Sequence, residues 1–214
     1  MELHIWLTFF ASCWVIAISP GSGAVLSISH GLNYGWRQTT ATILGLQLGL
    51  TITGLIAGVG VGALLLASAV AFTVVKVLGA AYLFYLGVKQ WRAPTDVAPN
   101  AEAESPVLSD DLPSFRMRFL TGLMTNVTNP KGIVFMVAVL PQFIEPQQSL
   151  PMQLLILLGT MVAVDLIVMH GYAFMGARTQ SWLSSASARR IQNRLFGGVL
   201  MFMGTSLLLV RRGA

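Results

Sequence analysis

Six long apolar runs constrain the fold of this chain more than any other feature. They cover approximately residues 5–29, 39–67, 69–91, 117–144, 152–176 and 192–210. A helix needs about 20 apolar residues to cross the hydrocarbon core of a bilayer, and lipid offers no partner to the backbone groups of an open strand. The sequence therefore predicts an all-α integral membrane protein with six transmembrane helices.

The composition agrees with a membrane-embedded chain. Of the 214 residues, 55% are hydrophobic and 10% are charged, and the mean hydropathy is +0.72, outside the range of ordinary soluble domains. The net charge of +5 could by itself indicate nucleic acid, but the basic residues lie in the short gaps between apolar runs and form no single patch. The lipid bilayer is therefore an expected partner, and nucleic acid is not.

The distribution of the basic residues predicts the orientation of the chain, because lysine and arginine concentrate on the cytoplasmic side of membrane proteins. Nine of them lie on one predicted side: Arg37, Lys89, Arg92, Arg116, Arg118, Arg178, Arg189, Arg190 and Arg194. Arg211 and Arg212 at the C-terminus oppose them. Segment 92–114 is therefore predicted to be cytoplasmic, and both termini are predicted to be periplasmic.

Prolines interrupt two of the six runs. The first run contains AISPGSGAV around Pro20, and the fourth contains TNPKG around Pro130. Proline lacks the N–H that a helix needs and clashes with the preceding turn, so both spans are predicted to be broken. Since each half has three spans, the second half is inverted relative to the first. We predict one membrane domain of two inverted three-helix repeats, 1–91 and 115–214, joined by an acidic, proline-rich linker, 92–114; ordinary proline kinks are the alternative.

Broken spans at matching positions of two repeats indicate a substrate site at the repeat interface. Amide and ammonium groups of the second break can bind a carboxylate or an α-amino group, and freed N–H groups at the start of a half-helix in the first break can bind an anion. The predicted substrate-binding residues are Ser19, Pro20, Gly21, Ser22, Gly23, Gln47, Asn126, Asn129, Pro130 and Lys131. Such a cavity suits a small zwitterion.

Asp165 is the one acidic residue that lies deep inside an apolar run. A carboxylate at the centre of a bilayer costs at least about 2.5 kcal/mol and normally marks an ion or proton path in the protein interior. Protonation removes that cost, so Asp165 is the predicted proton-coupling residue. Two alternatives stay open: a structural carboxyl bonded to a neighbouring helix, and an internal Lys131–Asp165 pair that only fixes packing.

Three further features have more than one interpretation. Gln47 serves either the cavity or an interhelical hydrogen bond. His170 lies about 140° around the helix from Asp165 and is predicted to pack or to lie at the cavity edge. Five glycines let another helix approach closely, inside the protomer or in a dimer: Gly45, Gly49, Gly54, Gly58 and Gly62.

An enzyme is not predicted, and neither is a metal or a cofactor. Ser22, Asp165 and His170 faintly suggest an intramembrane serine protease, but the last two point in different directions on their helix. A passive channel is the other alternative of a different class, since a channel needs no protonatable residue in its interior.

Four strings of the sequence resemble the LysE/RhtB family of amino-acid exporters along almost the whole chain: SPGSGAVLSISHGLNYGWRQTTATILGLQLG, VVKVLGAAYLFYLGVKQWR, NVTNPKGIVFMVAVLPQFI and VDLIVMHGYAF. The resemblance implies a dimeric bacterial inner-membrane exporter with six helices, driven by the proton gradient. It implies homoserine or homoserine lactone as substrate, with threonine, lysine or leucine as alternatives. It also places weight on Ser19, Pro20, Gly21, Asn126, Asn129, Pro130, Lys131 and Asp165. The acidic linker departs from the family pattern and is assigned no transport role.

Overall fold

The computed structural model describes residues 1–19, 21–67, 69–93, 112–145, 147–178 and 186–209. Within these ranges the chain is helical and contains no β-strand. In chain order the helices are α1 (Leu3–Ile18), α2 (Ser22–Tyr34), α3 (Trp36–Ala67), α4 (Ala69–Trp91), α5 (Phe115–Val127), α6 (Pro130–Ala138), α7 (Leu150–Arg178) and α8 (Ala186–Leu209), with a short 3-10 helix at Leu140–Phe143. The all-α prediction is confirmed for these residues, whereas most of the predicted linker, 92–114, lies outside them.

Among the described residues, two to four helical segments have the length and hydropathy to cross a membrane. α3, over Trp36–Gly60, and α7 qualify as single helices. α1 with α2, and α5 with Pro130–Phe143, qualify as pairs that bend by 54° and 51° at the break between their members. The two predicted breaks are therefore present, and α4 and α8 occupy the third and sixth predicted runs.

Local chemistry explains where the second break falls. α5 ends at Val127, and the Asn129 side chain then accepts a hydrogen bond from the Lys131 backbone N–H at 3.1 Å, which starts α6. Pro130 occupies the first turn of α6, where its missing N–H costs no hydrogen bond. Asparagine followed by proline therefore ends one half-helix and begins the next.

Two pairs of helices, each with one member from either half of the chain, run antiparallel. α3 runs against α7, because Gly58 packs on Leu154 near one end of the contact and Thr40 reaches His170 near the other. α4 runs against α8 in the same way, with Gly87 close to Gly197 and Gly204 close to Ala80.

The first broken span lies along α7 and runs in the same direction. Trp6 Nε1 donates a hydrogen bond to Thr160 Oγ1 at 3.0 Å, and further along both helices Tyr172 Oη donates to the Ile18 carbonyl at 2.5 Å. The contacts continue into α2, where Gly31 packs on the α7 backbone. Both members of the first broken span are thus held by the same helix.

The second broken span has the equivalent position along α3. Arg118 donates to Gln38 Oε1 at 3.1 Å, and two turns later Asn126 Nδ2 donates to the Leu46 carbonyl at 2.6 Å. The increasing numbers on both helices show that α5 and α3 run in the same direction.

Glycines of α3 permit these close approaches. A Cβ at Gly45 would overlap the Phe119 carbonyl of α5, and one at Gly49 would also meet α5. Gly54 and Gly58 meet leucine side chains of α7. These four glycines therefore pack inside the protomer, whereas the sequence alone also allowed packing in a dimer.

Candidate functional site

Both breaks lie beside one small cavity within the bundle. Its volume is about 50 Å³, which gives room for a few water molecules and is far below the roughly 300–1,000 Å³ of typical ligand pockets. Its polar lining comes from both breaks and from α7: Ser19, Asn126, Asn129, Lys131 and Asp165. The rest is mainly glycine and apolar: Ile16, Ala17, Gly21, Gly23, Ala24, Leu46, Leu50, Gly132, Met161 and Met169.

The Lys131 ammonium joins the two breaks. Its Nζ donates hydrogen bonds to the Ser19 carbonyl at 2.5 Å and to the Ile16 carbonyl at 3.2 Å. These carbonyls lie at the end of α1, where the last oxygens lack partners within the helix and form the negative end of the helix dipole. A cation at this position therefore stabilises the end of α1, and it attaches the start of α6 to it.

Gly21 leaves the space that the lysine side chain occupies. A Cβ at Gly21 would lie 3.0 Å from Nζ and 3.1 Å from Cε of Lys131, tighter than nearly all contacts that a real Cβ makes. Both residues directly follow the proline of their break. One half of the chain thus supplies a long cationic side chain, and the other half supplies the room for it.

The two asparagines of the second break have backbone partners as well as positions in the cavity wall. Asn126 is buried, and its bond to the Leu46 carbonyl joins α5 to α3. Asn129 begins α6 through its bond to the Lys131 N–H. Both amides therefore help to fix the shape of the break that they line.

Asp165 lies near the middle of α7 and is bonded to the facing helix. Gln47 Nε2 donates to Asp165 Oδ2 at 2.7 Å, so Gln47 makes an interhelical bond and also reaches the cavity carboxyl. The other amide atom, Gln47 Oε1, is buried and has no hydrogen-bond partner among the described residues. Asp165 and Lys131 line the same cavity, but no ion pair within 4.0 Å joins them. The direct pairing considered from the sequence is therefore not formed in this conformation.

Other predicted site residues have different surroundings. Ser19 is buried, and its Oγ has no hydrogen-bond partner in the described part of the chain. Gly23 lines the cavity and packs towards Leu46. Ser22 is exposed and lies outside the lining. Pro130 starts α6 without lining the cavity, and Pro20 lies outside the described residues.

Tyr172 is a residue of this site that the sequence did not single out. Its hydroxyl bond to the Ile18 carbonyl caps the end of α1 from α7, next to the carbonyls that Lys131 binds. The sequence contains little to identify it, since a tyrosine in an apolar run is usually an interface anchor or part of the packing.

The three groups of the serine-protease alternative do not meet. Ser22 is exposed, His170 contacts Thr40 and the Leu166 carbonyl, and Asp165 is bonded to α3. Within the described ranges, no three His, Cys, Asp or Glu side chains converge where a metal ion could be held. The site is a small cavity lined by one carboxyl, one ammonium and several uncharged polar groups.

The sequence matches the LysE type translocator family over residues 14–211. It is 42% identical over 210 residues to an uncharacterized membrane protein of Vibrio cholerae, with 98% of each chain covered. It is 38% identical over 211 residues to the homoserine/homoserine lactone efflux protein of Salmonella typhi, with 99% of each chain covered. It is also 28% identical over 209 residues to the leucine efflux protein of an Enterobacter species, covering 94% of this chain and 92% of the relative. No solved structure matches it. Since the family match covers nearly the whole chain, this membrane protein belongs to the LysE type translocator family, as the resemblance predicted.

Proposed function

We propose that this protein exports homoserine or homoserine lactone across the bacterial inner membrane in exchange for protons. The observation that carries the proposal is the cavity that both breaks share with Asp165. Membership of a translocator family supports transport, and the name of the Salmonella typhi relative supports the substrate.

The helix pairs support an arrangement of two inverted repeats, 1–91 and 115–214. An axis in the membrane plane that relates such repeats makes corresponding helices antiparallel, as α3 with α7 and α4 with α8 are. It also gives the two broken spans equivalent positions, one along α7 and the other along α3.

We propose further that the linker, 92–114, is cytoplasmic and that both termini are periplasmic. The excess of basic residues supports this orientation. An alternating path also requires the N-terminus to lie on the same side as the segment before α7. The amino group of Met1 donates a hydrogen bond to Gln148 in that segment, which supports the alternation.

The cavity has partners for both ends of a small amino acid. The Asp165 carboxylate and the Ser19 hydroxyl, which has no partner among the described residues, can accept hydrogen bonds from an α-ammonium group. Lys131 has three N–H donors and uses two on the end of α1. The third donor suits a carboxylate or a lactone carbonyl.

Competition at Asp165 would couple the substrate to protons. A carboxylate at membrane depth is costly without a partner, and either the substrate ammonium or a proton can supply that partner. A proton bound from the periplasm would therefore release the substrate, and rocking of one repeat against the other would expose Asp165 alternately to each side. At about 50 Å³ the cavity is too small for an amino acid, so the movement must enlarge it.

Proteoliposomes with an imposed pH gradient test this function. Wild-type protein should accumulate labelled homoserine, with threonine, lysine and leucine as comparators. Asp165→Asn should lose gradient-driven accumulation but retain exchange of labelled for unlabelled homoserine, because the amide oxygen still accepts from an ammonium group and cannot exchange a proton. Glu2→Gln is the matched control, since it makes the same chemical change at an exposed carboxylate outside the cavity.

The two parts of the proposal fail in different ways. Undiminished accumulation by Asp165→Asn would refute coupling through this carboxyl. Failure of wild-type protein to move homoserine or its lactone would refute the substrate. A passive channel would exchange homoserine but never accumulate it, in wild type as in the variant.

Leucine is the second candidate substrate. The Enterobacter relative is a leucine efflux protein, and the side chains of Leu46, Met161 and Met169 give the cavity an apolar wall that could contact a leucine side chain. The same assay decides between them, because accumulation of leucine in preference to homoserine would assign the protein to leucine.

A further inference from the structure

A second polar cluster lies away from the cavity, where the start of α5 meets α2 and α3. It consists of two hydrogen-bonded pairs, Arg118 with Gln38 and His30 with Thr42. Arg118 precedes the cavity residue Asn126 by two turns of α5, a distance of about 12 Å along the helix. The cluster therefore belongs to the end of the bundle at which the α2–α3 loop lies.

Arg118 is unusual because it is a buried arginine. It is 5% exposed, and its Nε is buried without a hydrogen-bond partner in the described part of the chain. One terminal nitrogen donates to Gln38 Oε1 at 3.1 Å, but no carboxylate of the described residues lies within 4.0 Å of the guanidinium. A buried charge is costly unless it is paired, so a guanidinium that no described carboxylate contacts is suited to bind an anion.

The neighbours of Arg118 add hydrogen-bonding groups. The His30 ring contacts Thr42 Oγ1 at 2.7 Å, and the Thr42 carbonyl packs on Gly122, one turn after Arg118 on α5. Thr42 is fully buried. The planar fork of a guanidinium matches the two oxygens of a carboxylate, and a hydroxyl or imidazole beside it can donate a further bond.

Buried polar groups connect this cluster to the cavity. Thr42 lies one turn before Leu46 on α3, and Leu46 lines the cavity. On α2, Ser27 is fully buried and donates to the sulfur of Met169, another lining residue, at 3.5 Å. If the rocking movement opens a path along α2 and α3, Arg118 lies at its outer end and Asp165 at its inner end.

We propose that Arg118, with Thr42 and His30 beside it, is a second binding site that takes the free carboxylate of the amino-acid substrate on its way to the central cavity. The proposal rests on the proposed function. The carboxylate is recognised at Arg118 first, and Lys131 and Asp165 of the cavity bind the two ends of the substrate afterwards. Homoserine has a free carboxylate and its lactone does not, so the two substrates should depend differently on Arg118.

Transport by inverted membrane vesicles, which expose the cytoplasmic face, tests the second site. Initial rates over a range of concentrations give KM and kcat for homoserine and for homoserine lactone. Arg118→Gln should raise the KM for homoserine roughly tenfold or more, the effect of losing one charge-assisted hydrogen bond, and should change the KM for the lactone less than about twofold. Arg118→Lys should have a smaller effect in the same direction, because it keeps the charge and loses the fork geometry.

Arg116→Gln is the matched control. Arg116 is exposed in the first turn of the same helix, so its substitution removes one positive charge without touching the cluster. It should leave both KM values unchanged. If Arg118→Gln yields no folded protein, Arg118→Lys provides the same contrast between homoserine and the lactone.

Each other outcome has a definite meaning. An equal rise in both KM values, or an unchanged KM for homoserine, overturns the carboxylate site and indicates a structural arginine or a resident inorganic or lipid phosphate. Wild-type vesicles that move the lactone but no free amino acid overturn the site and leave efflux standing. Wild-type vesicles that move neither substrate overturn the proposed function, and the second site with it.

Discussion

Replacement of Lys131 by methionine should destabilise the protein by about 2–4 kcal/mol. Methionine keeps most of the apolar stem and removes the ammonium that bonds the Ser19 and Ile16 carbonyls at 2.5 and 3.2 Å. A hydrogen bond with one charged partner contributes about 1.5–3 kcal/mol, so two bonds contribute about 3–6 kcal/mol. Part of this loss is recovered because methionine buries no charge and because water in the cavity can reach the freed carbonyls.

Thermal unfolding of the purified protein in detergent measures the effect. In chains of this size a loss of about 1 kcal/mol in the free energy of unfolding lowers the midpoint temperature by roughly 2–4 °C. Lys131→Met should therefore lower the midpoint temperature by roughly 4–16 °C. Lys89→Met is the matched control, because Lys89 is exposed in the last turn of α4 and its loss should cost less than about 0.5 kcal/mol. A midpoint for Lys131→Met as close to wild type as that of the control would refute the inference that this ammonium joins the two breaks.

Two further predictions concern packing and the end of α1. Gly45→Ala should cost about 1–3 kcal/mol of stability, because its methyl group would overlap the Phe119 carbonyl. Gly159→Ala is the control, because a methyl group there meets no other atom, and it should be neutral or stabilising by up to about 1 kcal/mol. Equal thermal unfolding midpoints for the Gly45→Ala and Gly159→Ala variants would contradict the close α3–α5 contact. Tyr172→Phe should cost about 1 kcal/mol by removing the bond to the Ile18 carbonyl and should leave the KM for homoserine within about twofold; a larger rise would show that the hydroxyl binds substrate.

The features that depend on local chemistry were predictable from the sequence. The helix positions follow from runs of apolar residues, and the two breaks follow from prolines, whose missing N–H acts on the immediately preceding turn. The Asn129–Pro130 pair even indicates where the second half-helix starts, because an asparagine cap and a proline in the first turn act within a few residues. The central position of Asp165 follows from the cost of exposing a carboxylate to lipid.

Partners across the bundle could not be predicted in this way. The sequence indicated that Lys131 lies in a break, but its partners are backbone carbonyls of α1, which have no sequence pattern. Arg118 and Arg116 look alike in the sequence as basic residues at the start of a span, and the structure buries the first and exposes the second. The two positions lie about 200° apart around the helix, and which of the two faces meets α3 is a property of the packing.

The asymmetry between the two breaks has a consequence for the transport cycle. Lys131 and Gly21 occupy the same position after proline, so a single ammonium extends from one proposed repeat to the α1 carbonyls of the other. If the repeats rock against each other, these bonds must lengthen, because their two ends move with different repeats. The movement that enlarges the cavity therefore also frees the ammonium for a carboxylate or a lactone carbonyl. Under this proposal the same group joins the two breaks in this conformation and would bind the substrate once they separate, so substrate binding can replace the energy lost when the breaks separate.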